Sequence, residues 1–228
     1  MRLAGTVALI AGAARRMGRA TAERFPRDGA RTALCDLDAE AGNAPEPNCR
    51  RRAQRRFLSA ETVSAFGTLN LVVNSAGILL IGKDVPVAEI DEEVWDRAVA
   101  VKLKGTFLVC KYAIPKMIKA GGGSIGNVAP IAAFKDWNVT TAHCASKGGA
   151  LILVKDIAHA YARHNIRANA FCPGDIETSM TVPLVEDPRW HSGIDATPMR
   201  RLGRTEGRIS IAQRPDPSRF RYPPNFGV

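Results

Sequence analysis

Short apolar runs alternate with amphipathic segments along the 228-residue chain. The first run, "TVALIA" at residues 6–11, is β-branched and apolar and stops at Gly12, which predicts a strand followed by a tight turn. Residues 17–29 then predict a helix that closes at Gly29. "RTALCDLD", which begins at Arg31, predicts a second strand.

The later segments continue this alternation. "LNLVVNSAG" predicts a strand that ends at Asn74, and Asp91 predicts the N-cap of a long helix that runs to Ile118. "SIGNVAP" and "IRANAFCPG" predict two further strands, with a helix over residues 141–163 between them. Strands that alternate with helices favour a Rossmann-like, doubly wound parallel sheet in a three-layer α/β/α arrangement. Ligands of such sheets bind at the carboxyl ends of the strands.

Two segments interrupt the alternation. Residues 39–65 hold no apolar strand and predict one irregular, shortened stretch. Residues 207–228 hold four prolines among scattered arginines, which leaves little room for a regular element. We therefore predict one domain over residues 1–206, followed by an irregular, basic, proline-rich tail.

The formal net charge of +10 raises the question of a nucleic-acid partner. Five arginines and no acid fall within residues 49–58, and seven arginines against two acids fall within residues 199–228. These two segments account for the whole excess, so the basic charge is local. Because no recognised nucleic-acid motif is present, we do not expect a nucleic-acid partner. A nucleic acid or another acidic partner bound by the arginine clusters stays an alternative.

The compartment predicted from the sequence is the cytoplasm. The N-terminal segment "MRLAGTVALIAGAARR" resembles a signal peptide only superficially, because Gly5 and Gly12 interrupt it and a basic helix follows. The longest apolar runs are too short to span a bilayer, so we expect no membrane association. Five cysteines without metal-ligand spacing are typical of reduced thiols, and we predict no metal site.

The first predicted turn has features of a dinucleotide site. Gly12 and Gly18 flank "AARRM", and glycine there lets backbone N–H groups approach a pyrophosphate at the start of a helix. Asp36, at the end of the second strand, would accept hydrogen bonds from a ribose diol and repel a 2′-phosphate. This pattern favours NAD over NADP, although a glycine pair alone is also typical of an ordinary helix start.

With these motifs in place, the chain resembles the short-chain dehydrogenase/reductase family over residues 2–38 and 66–206. The similarity rests on "NSAG" at residues 74–77, "WDRAVAVKLKGTF" at 95–107, "SKGGA" at 146–150, "RANAFCPGDIET" and "PMRRLGRTE". The resemblance implies NAD binding and hydride transfer between nicotinamide and a small alcohol or ketone. It also implies a set of cofactor-binding residues. These are Gly12, Arg16, Met17, Gly18, Asp36, Asn74, Ala76, Gly77, Lys147, Pro173, Gly174, Ile176 and Thr178.

The catalytic positions depart from the family pattern. The family uses a tyrosine, a lysine four residues later, a serine on the preceding strand and an asparagine in its fourth helix. Here the tyrosine position is His143, the serine position is Pro130 and the asparagine position is Lys102, so only Lys147 matches. Proline offers no hydroxyl, and Lys102 would place a flexible cation where a neutral amide orders water.

Two interpretations of His143 are open. An imidazole could replace the phenol as the general acid, in a rewired pair with Lys147. Alternatively, the neighbouring lysine lowers the pKa of the imidazole and keeps it neutral, so that catalysis is impaired or absent and the chain is a pseudoenzyme. We expect the second.

The remaining expectations also come from the resemblance. The glycine motif carries Ala11 for the family's threonine and Arg16 for its middle glycine, which puts cofactor affinity in doubt. The irregular segments fall where the family has its third and last strands, so we expect one or both edge strands to be missing. The family dimerises through its fourth and fifth helices, which predicts a homo-oligomer or, as an alternative, a hetero-oligomer with an intact relative.

Overall fold

The structure is a computed structural model. It describes 13 elements of secondary structure, including short 3₁₀ and π segments. The predicted tail over residues 207–228 lies outside the described part of the chain. The described residues are 1–36, 49–51, 58–130, 133, 140–179, 181–182 and 200–204.

One parallel sheet of six strands forms the middle layer. Its strand order is 3-2-1-4-5-6, so the order reverses between the first and fourth strands. This reversal point is where ligands bind in doubly wound sheets. The strands are β1 (Val7–Ala11), β2 (Arg31–Cys35), β3 (Cys49–Arg51), β4 (Leu71–Asn74), β5 (Gly123–Val128) and β6 (Ile166–Phe171).

Helices cover both faces of the sheet, which confirms the three-layer prediction. On one face Leu9, Val72 and Ile125 pack in a cluster with residues of the second, fourth and fifth helices. On the other face Ile10 and Val73 pack with residues of the first helix. The helices are α1 (Arg16–Arg27), α2 (Leu58–Phe66), α3 (Glu92–Val99), α4 (Gly105–Lys119) and α5 (Thr141–Ala160).

The helices on both faces of the sheet explain why β1 is apolar throughout. All five of its residues are buried, because alternate side chains enter the two different clusters. A strand buried on both faces has no polar face, so its sequence is a continuous apolar run. The run "TVALIA" therefore predicted the strand correctly.

The predicted loss of the third strand is wrong. Cys49–Arg51 pairs in parallel with β2, in the register Thr32–Cys49 to Leu34–Arg51. An edge strand can form through backbone hydrogen bonds without an apolar sequence, because strand propensity depends strongly on context. The position of the family's last strand lies outside the described residues.

The long predicted helix contains a π-helical segment. Residues Ala100–Lys104 form it, between α3 and α4. A π-helical insertion rotates the side chains that follow and is frequent at functional sites. In this chain it carries Lys102, which is buried. Asp91 is the N-cap residue of α3 as predicted, although its side chain makes no capping hydrogen bond.

Candidate active site

A cavity lies at the carboxyl ends of the central strands, at the predicted position. Its empty space, counted together with its open mouth, is about 800 Å³. Residues after β1, β4, β5 and β6 form its walls together with α5. The predicted site residues that line it are Arg16, Met17, Gly77, Pro130, His143, Lys147, Pro173, Gly174, Ile176 and Thr178.

Three other predicted residues do not line the cavity: Gly12 and Gly18 at the first turn, and Ala76 after β4. A Cβ on Gly12 would lie 2.4 Å from the Ala76 nitrogen, and one on Gly18 would lie 1.8 Å from the Gly12 oxygen. Side chains are excluded at both positions by backbone. Gly12 also has a φ of +79°, which an L side chain rarely adopts.

Asp36 follows β2 directly and faces the same turn. Its Oδ2 accepts a hydrogen bond of 2.8 Å from the backbone N–H of Ala14. This contact fixes the carboxylate next to the start of α1. Asp36 therefore lies where the sequence predicted it, at the end of the second strand and beside the glycine turn.

Arg16 takes the backbone conformation that the glycine of the family motif would take. Its φ is +56°, in the left-handed region that costs an L residue roughly 1–2 kcal/mol. Its Nε donates to the Ser179 Oγ at 3.3 Å, so the side chain bridges from the turn to the segment after β6. Burial and the neighbouring Arg15 lower the pKa of Arg16, while Asp36 opposes this shift.

Asn74 does not line the cavity. It is buried, and its Nδ2 lies 3.7 Å from the Cys110 Sγ. Two other residues of the segment "NSAG", Ser75 and Gly77, line the cavity. Among the other wall residues are Ile78, Leu79 and Val128, which the sequence analysis did not single out. Each lies just after, or at the end of, a central strand, and that position was the available signal.

Lys102 and His143 are in direct contact. The Lys102 Nζ lies 3.2 Å from the His143 Nδ1, and the two side chains are 1% and 6% exposed. The expectation of a flexible cation at Lys102 is therefore wrong, because packing around the π-helical segment holds the ammonium in place. Burial lowers the pKa of Lys102 to about 8, although Asp84 and Cys144 oppose the shift.

The environment of His143 keeps its imidazole neutral. Burial lowers its pKa to about 3, and the charges of Lys102 and Lys147 act in the same direction. A protonated lysine can only donate, so Nδ1 accepts from Lys102 and the ring proton is on Nε2. The ring also hydrogen-bonds the backbone of Ile78, a contact that favours the protonated ring. The protein thus engages the imidazole on both sides.

Lys147 lies one turn after His143 and reaches the cavity. Its Nζ donates to the Val128 oxygen at 2.8 Å, and a Cβ on Gly77 would lie 3.6 Å from it. Burial lowers the pKa of Lys147 to about 7, with a further contribution from the charge of Lys102. Within the described residues no carboxylate forms an ion pair with it.

Asp84 positions the start of α5, and the sequence analysis missed it. Its two carboxylate oxygens accept the backbone N–H groups of Ala142 at 2.8 Å and of His143 at 2.9 Å. Beside it, the Thr141 Oγ1 donates to the Val85 oxygen at 2.8 Å. The N–H groups at the start of α5 find their acceptor in Asp84, which precedes the helix by more than fifty residues. The sequence next to the helix therefore gives no signal of this contact.

The fold and this cavity define a Rossmann-like α/β protein with a site at the reversal of strand order. A model of the short chain dehydrogenase family matches residues 6–189. The chain therefore belongs to the short-chain dehydrogenases, a family of oxidoreductases.

Relatives and solved structures agree with this assignment. The chain is 36% identical over 220 residues to a 3-oxoacyl-[acyl-carrier-protein] reductase of Thermotoga maritima, covering 90% of this chain and 88% of the relative. It is 35% identical over 202 residues to D-threitol dehydrogenase of Mycolicibacterium smegmatis, covering 82% and 76%. The crystal structure of levodione reductase superposes with a TM-score of 0.84 at 26% identity, covering 92% and 90%.

The described residues contain neither a membrane span nor a metal cluster. Within them, no helix has the length and apolar character needed to cross a membrane. The same part of the chain holds no group of three or more histidine, cysteine or acidic residues that could bind a metal ion.

Proposed function

We propose that this chain binds a nicotinamide dinucleotide, preferentially NAD, and transfers hydride between it and an alcohol or ketone slowly or not at all. The observation that carries the proposal is the contact between Lys102 and His143. It places a neutral imidazole, engaged on both sides, at the position of the family's proton donor.

The residues at the first turn fit a dinucleotide. Gly12 and Gly18 keep side chains out of the turn, and α1 begins there without a side-chain cap, which leaves its first N–H groups available to an anion. Asp36 presents a carboxylate at the place where a ribose diol would be recognised. Lys147, Gly77 and Thr178 would lie along the nicotinamide half, where the cofactor, when bound, exchanges a hydride.

Proton delivery is the impaired part of the site. Reduction of a ketone needs a donor that protonates the oxygen as hydride arrives, which contributes typically 10²–10⁴-fold to the rate. His143 is uncharged at neutral pH, and its ring is hydrogen-bonded to the backbone of Ile78. Pro130 lines the cavity and has neither a hydroxyl nor an N–H to offer.

Calorimetric titration of the purified chain with NAD and with NADP tests the cofactor part. We expect saturable binding of NAD and weaker binding of NADP. Asp36→Asn keeps the hydrogen-bond acceptor for Ala14 but removes the charge that repels a 2′-phosphate. The variant should therefore reduce the difference in affinity between NAD and NADP. Absence of binding for both nucleotides, by a chain folded according to circular dichroism, would refute the proposal.

The described surface also favours self-association. Phe107 on α4 and Ile152 on α5 are 44% and 61% exposed, and Trp95 on α3 is 37% exposed. We propose that these helices form a homo-oligomer interface. Light scattering should give more than one chain per particle, and Ile152→Lys should shift that mass towards the monomer.

A further inference from the structure

We propose that Lys147 is a nucleophilic amine that captures small apolar aldehydes and ketones as an imine in the central cavity. The proposal goes beyond the hydride chemistry above, and it does not depend on cofactor binding. It rests on the position of the amine, its partners and the chemistry of the cavity wall.

The position of Lys147 makes the amine accessible from the cavity alone. The residue is 6% exposed, and it lines the cavity together with Gly77 and Val128. Because Gly77 has no side chain, the backbone opposite the Nζ leaves room beside it; a Cβ there would come within 3.6 Å. A ligand that enters the cavity therefore meets the end of this side chain.

The partners of the amine favour its neutral form. Its hydrogen bond is to a neutral acceptor, the Val128 carbonyl, and not to a carboxylate. The Lys102 ammonium acts on it electrostatically and opposes a second cation. Burial adds to this effect and lowers the pKa of Lys147 to about 7. A neutral lysine amine can donate one hydrogen to Val128 and still present its lone pair.

The wall around the amine suits an apolar carbonyl compound. Ile78, Leu79, Pro130 and Ile176 contribute apolar surface to the same cavity. Such surface binds the hydrocarbon part of a ligand and displaces water from the amine. His143 lies one turn earlier on α5, so the neighbour of the amine on that side of the helix is a neutral ring.

The reaction balances without a redox partner. The lone pair of the Lys147 nitrogen attacks the carbonyl carbon, and the carbonyl π electrons move to oxygen. A proton passes from nitrogen to that oxygen to give a carbinolamine. The second nitrogen proton then leaves with the oxygen as water, and a carbon–nitrogen double bond remains.

Borohydride trapping of the folded, nucleotide-free chain tests the proposal. The chain is incubated with benzaldehyde near neutral pH, reduced with sodium borohydride, and digested for mass spectrometry of each lysine peptide. Lys155 provides the internal comparison, because it lies on the same helix and is exposed. We expect a benzyl group on Lys147 at least about tenfold faster than on Lys155, since burial and the charge of Lys102 lower the pKa of Lys147.

Labelling of Lys147 no faster than of Lys155 would overturn the proposal, as would the absence of a Lys147 adduct. The comparison is made within one wild-type sample, so it does not depend on whether a variant folds. Lys147→Arg keeps a cation without a nucleophilic amine and should lose the adduct while Lys155 labelling is unchanged. Saturating NAD is added in a separate arm: protection of Lys147 supports the proposed cofactor position, and lack of protection counts against that position alone.

Discussion

The Nζ of Lys102 lies 3.2 Å from the Nδ1 of His143, and both residues are buried, with His143 lining the cavity at the carboxyl ends of the sheet. The contact joins two positions where this chain departs from the family pattern. It explains why the departures are compatible with each other: a buried ammonium needs an acceptor, and a neutral imidazole provides one. The same contact keeps the imidazole from becoming a cation.

The first prediction concerns the protonation of His143. Because burial and two lysines lower its pKa to about 3, we expect the His143 ring to stay neutral from pH 5 to 8. Nitrogen-15 NMR of the imidazoles should show the Nε2–H form throughout. Lys102→Met removes one of the lysine charges and should raise the pKa of His143.

His159 serves as the reference for this experiment, because it is exposed on the same helix. His159→Gln should assign its signal and leave that of His143 in place. Titration of the His143 signal near its ordinary value of 6.5 would contradict the account of the site.

The second prediction concerns stability in alkaline solution. The pKa of Lys147 is lowered to about 7 and that of Lys102 to about 8, against 10.5 for an ordinary lysine. Between these values the unfolded chain binds more protons than the folded chain, so the free energy of unfolding should rise with pH. Urea denaturation at about pH 7.5 and about pH 9.5 measures this rise.

Lys147→Met should reduce the rise, since it removes the group with the larger shift. Lys155→Met, at an exposed position of the same helix, should leave it unchanged. An equal rise in wild type and Lys147→Met would show that the amine is not held in a proton-excluding environment.

The third prediction concerns Asp84. Asp84→Ala removes the acceptor of two buried N–H groups at the start of α5 and should cost about 3 kcal/mol of unfolding free energy. Asp91→Ala is the matched control, because Asp91 is an N-cap residue whose side chain makes no capping bond. Its cost should stay below about 1 kcal/mol. Equal costs in urea denaturation would refute the role assigned to Asp84.

The fourth prediction concerns the glycine turn. Gly12 and Gly67 have φ values of +79° and +80°, but a Cβ on Gly12 would lie 2.4 Å from the backbone of Ala76, whereas one on Gly67 would meet nothing within 4 Å. Gly67→Ala therefore measures backbone strain alone, about 1 kcal/mol. Gly12→Ala should cost at least about 2 kcal/mol more, because the added methyl group clashes with backbone. Similar costs for the two variants in urea denaturation would show that the turn has room to expand.

The central part of the fold could be predicted from the sequence because its signals are local. "TVALIA" is apolar throughout since β1 is buried on both faces, and Gly12 follows it because backbone excludes a side chain there. Asp36 could be placed for the same reason, at the end of an apolar run. The position of the cavity then followed from the alternation of strands and helices.

The rest depended on contacts that are distant along the chain. The strand Cys49–Arg51 has no apolar pattern, because it pairs through its backbone at the edge of the sheet. Asp84 accepts backbone hydrogen bonds at the start of a helix that begins more than fifty residues later. Lys102 was expected to be a flexible cation at the site, since nothing next to it in the sequence indicates that a π-helical segment buries it against His143.

The most direct measurement is ketone reduction with NADH, monitored by loss of nicotinamide absorbance, for the wild type and for the variant His143→Tyr, Pro130→Ser, Lys102→Asn. A panel of small ketones is used for both proteins. We predict slow turnover or none above background for the wild type and a rate at least about a hundredfold higher for the triple variant, since a general acid contributes 10² or more. Wild-type turnover of about 1 s⁻¹ or faster, the ordinary range of enzymes, would contradict this prediction.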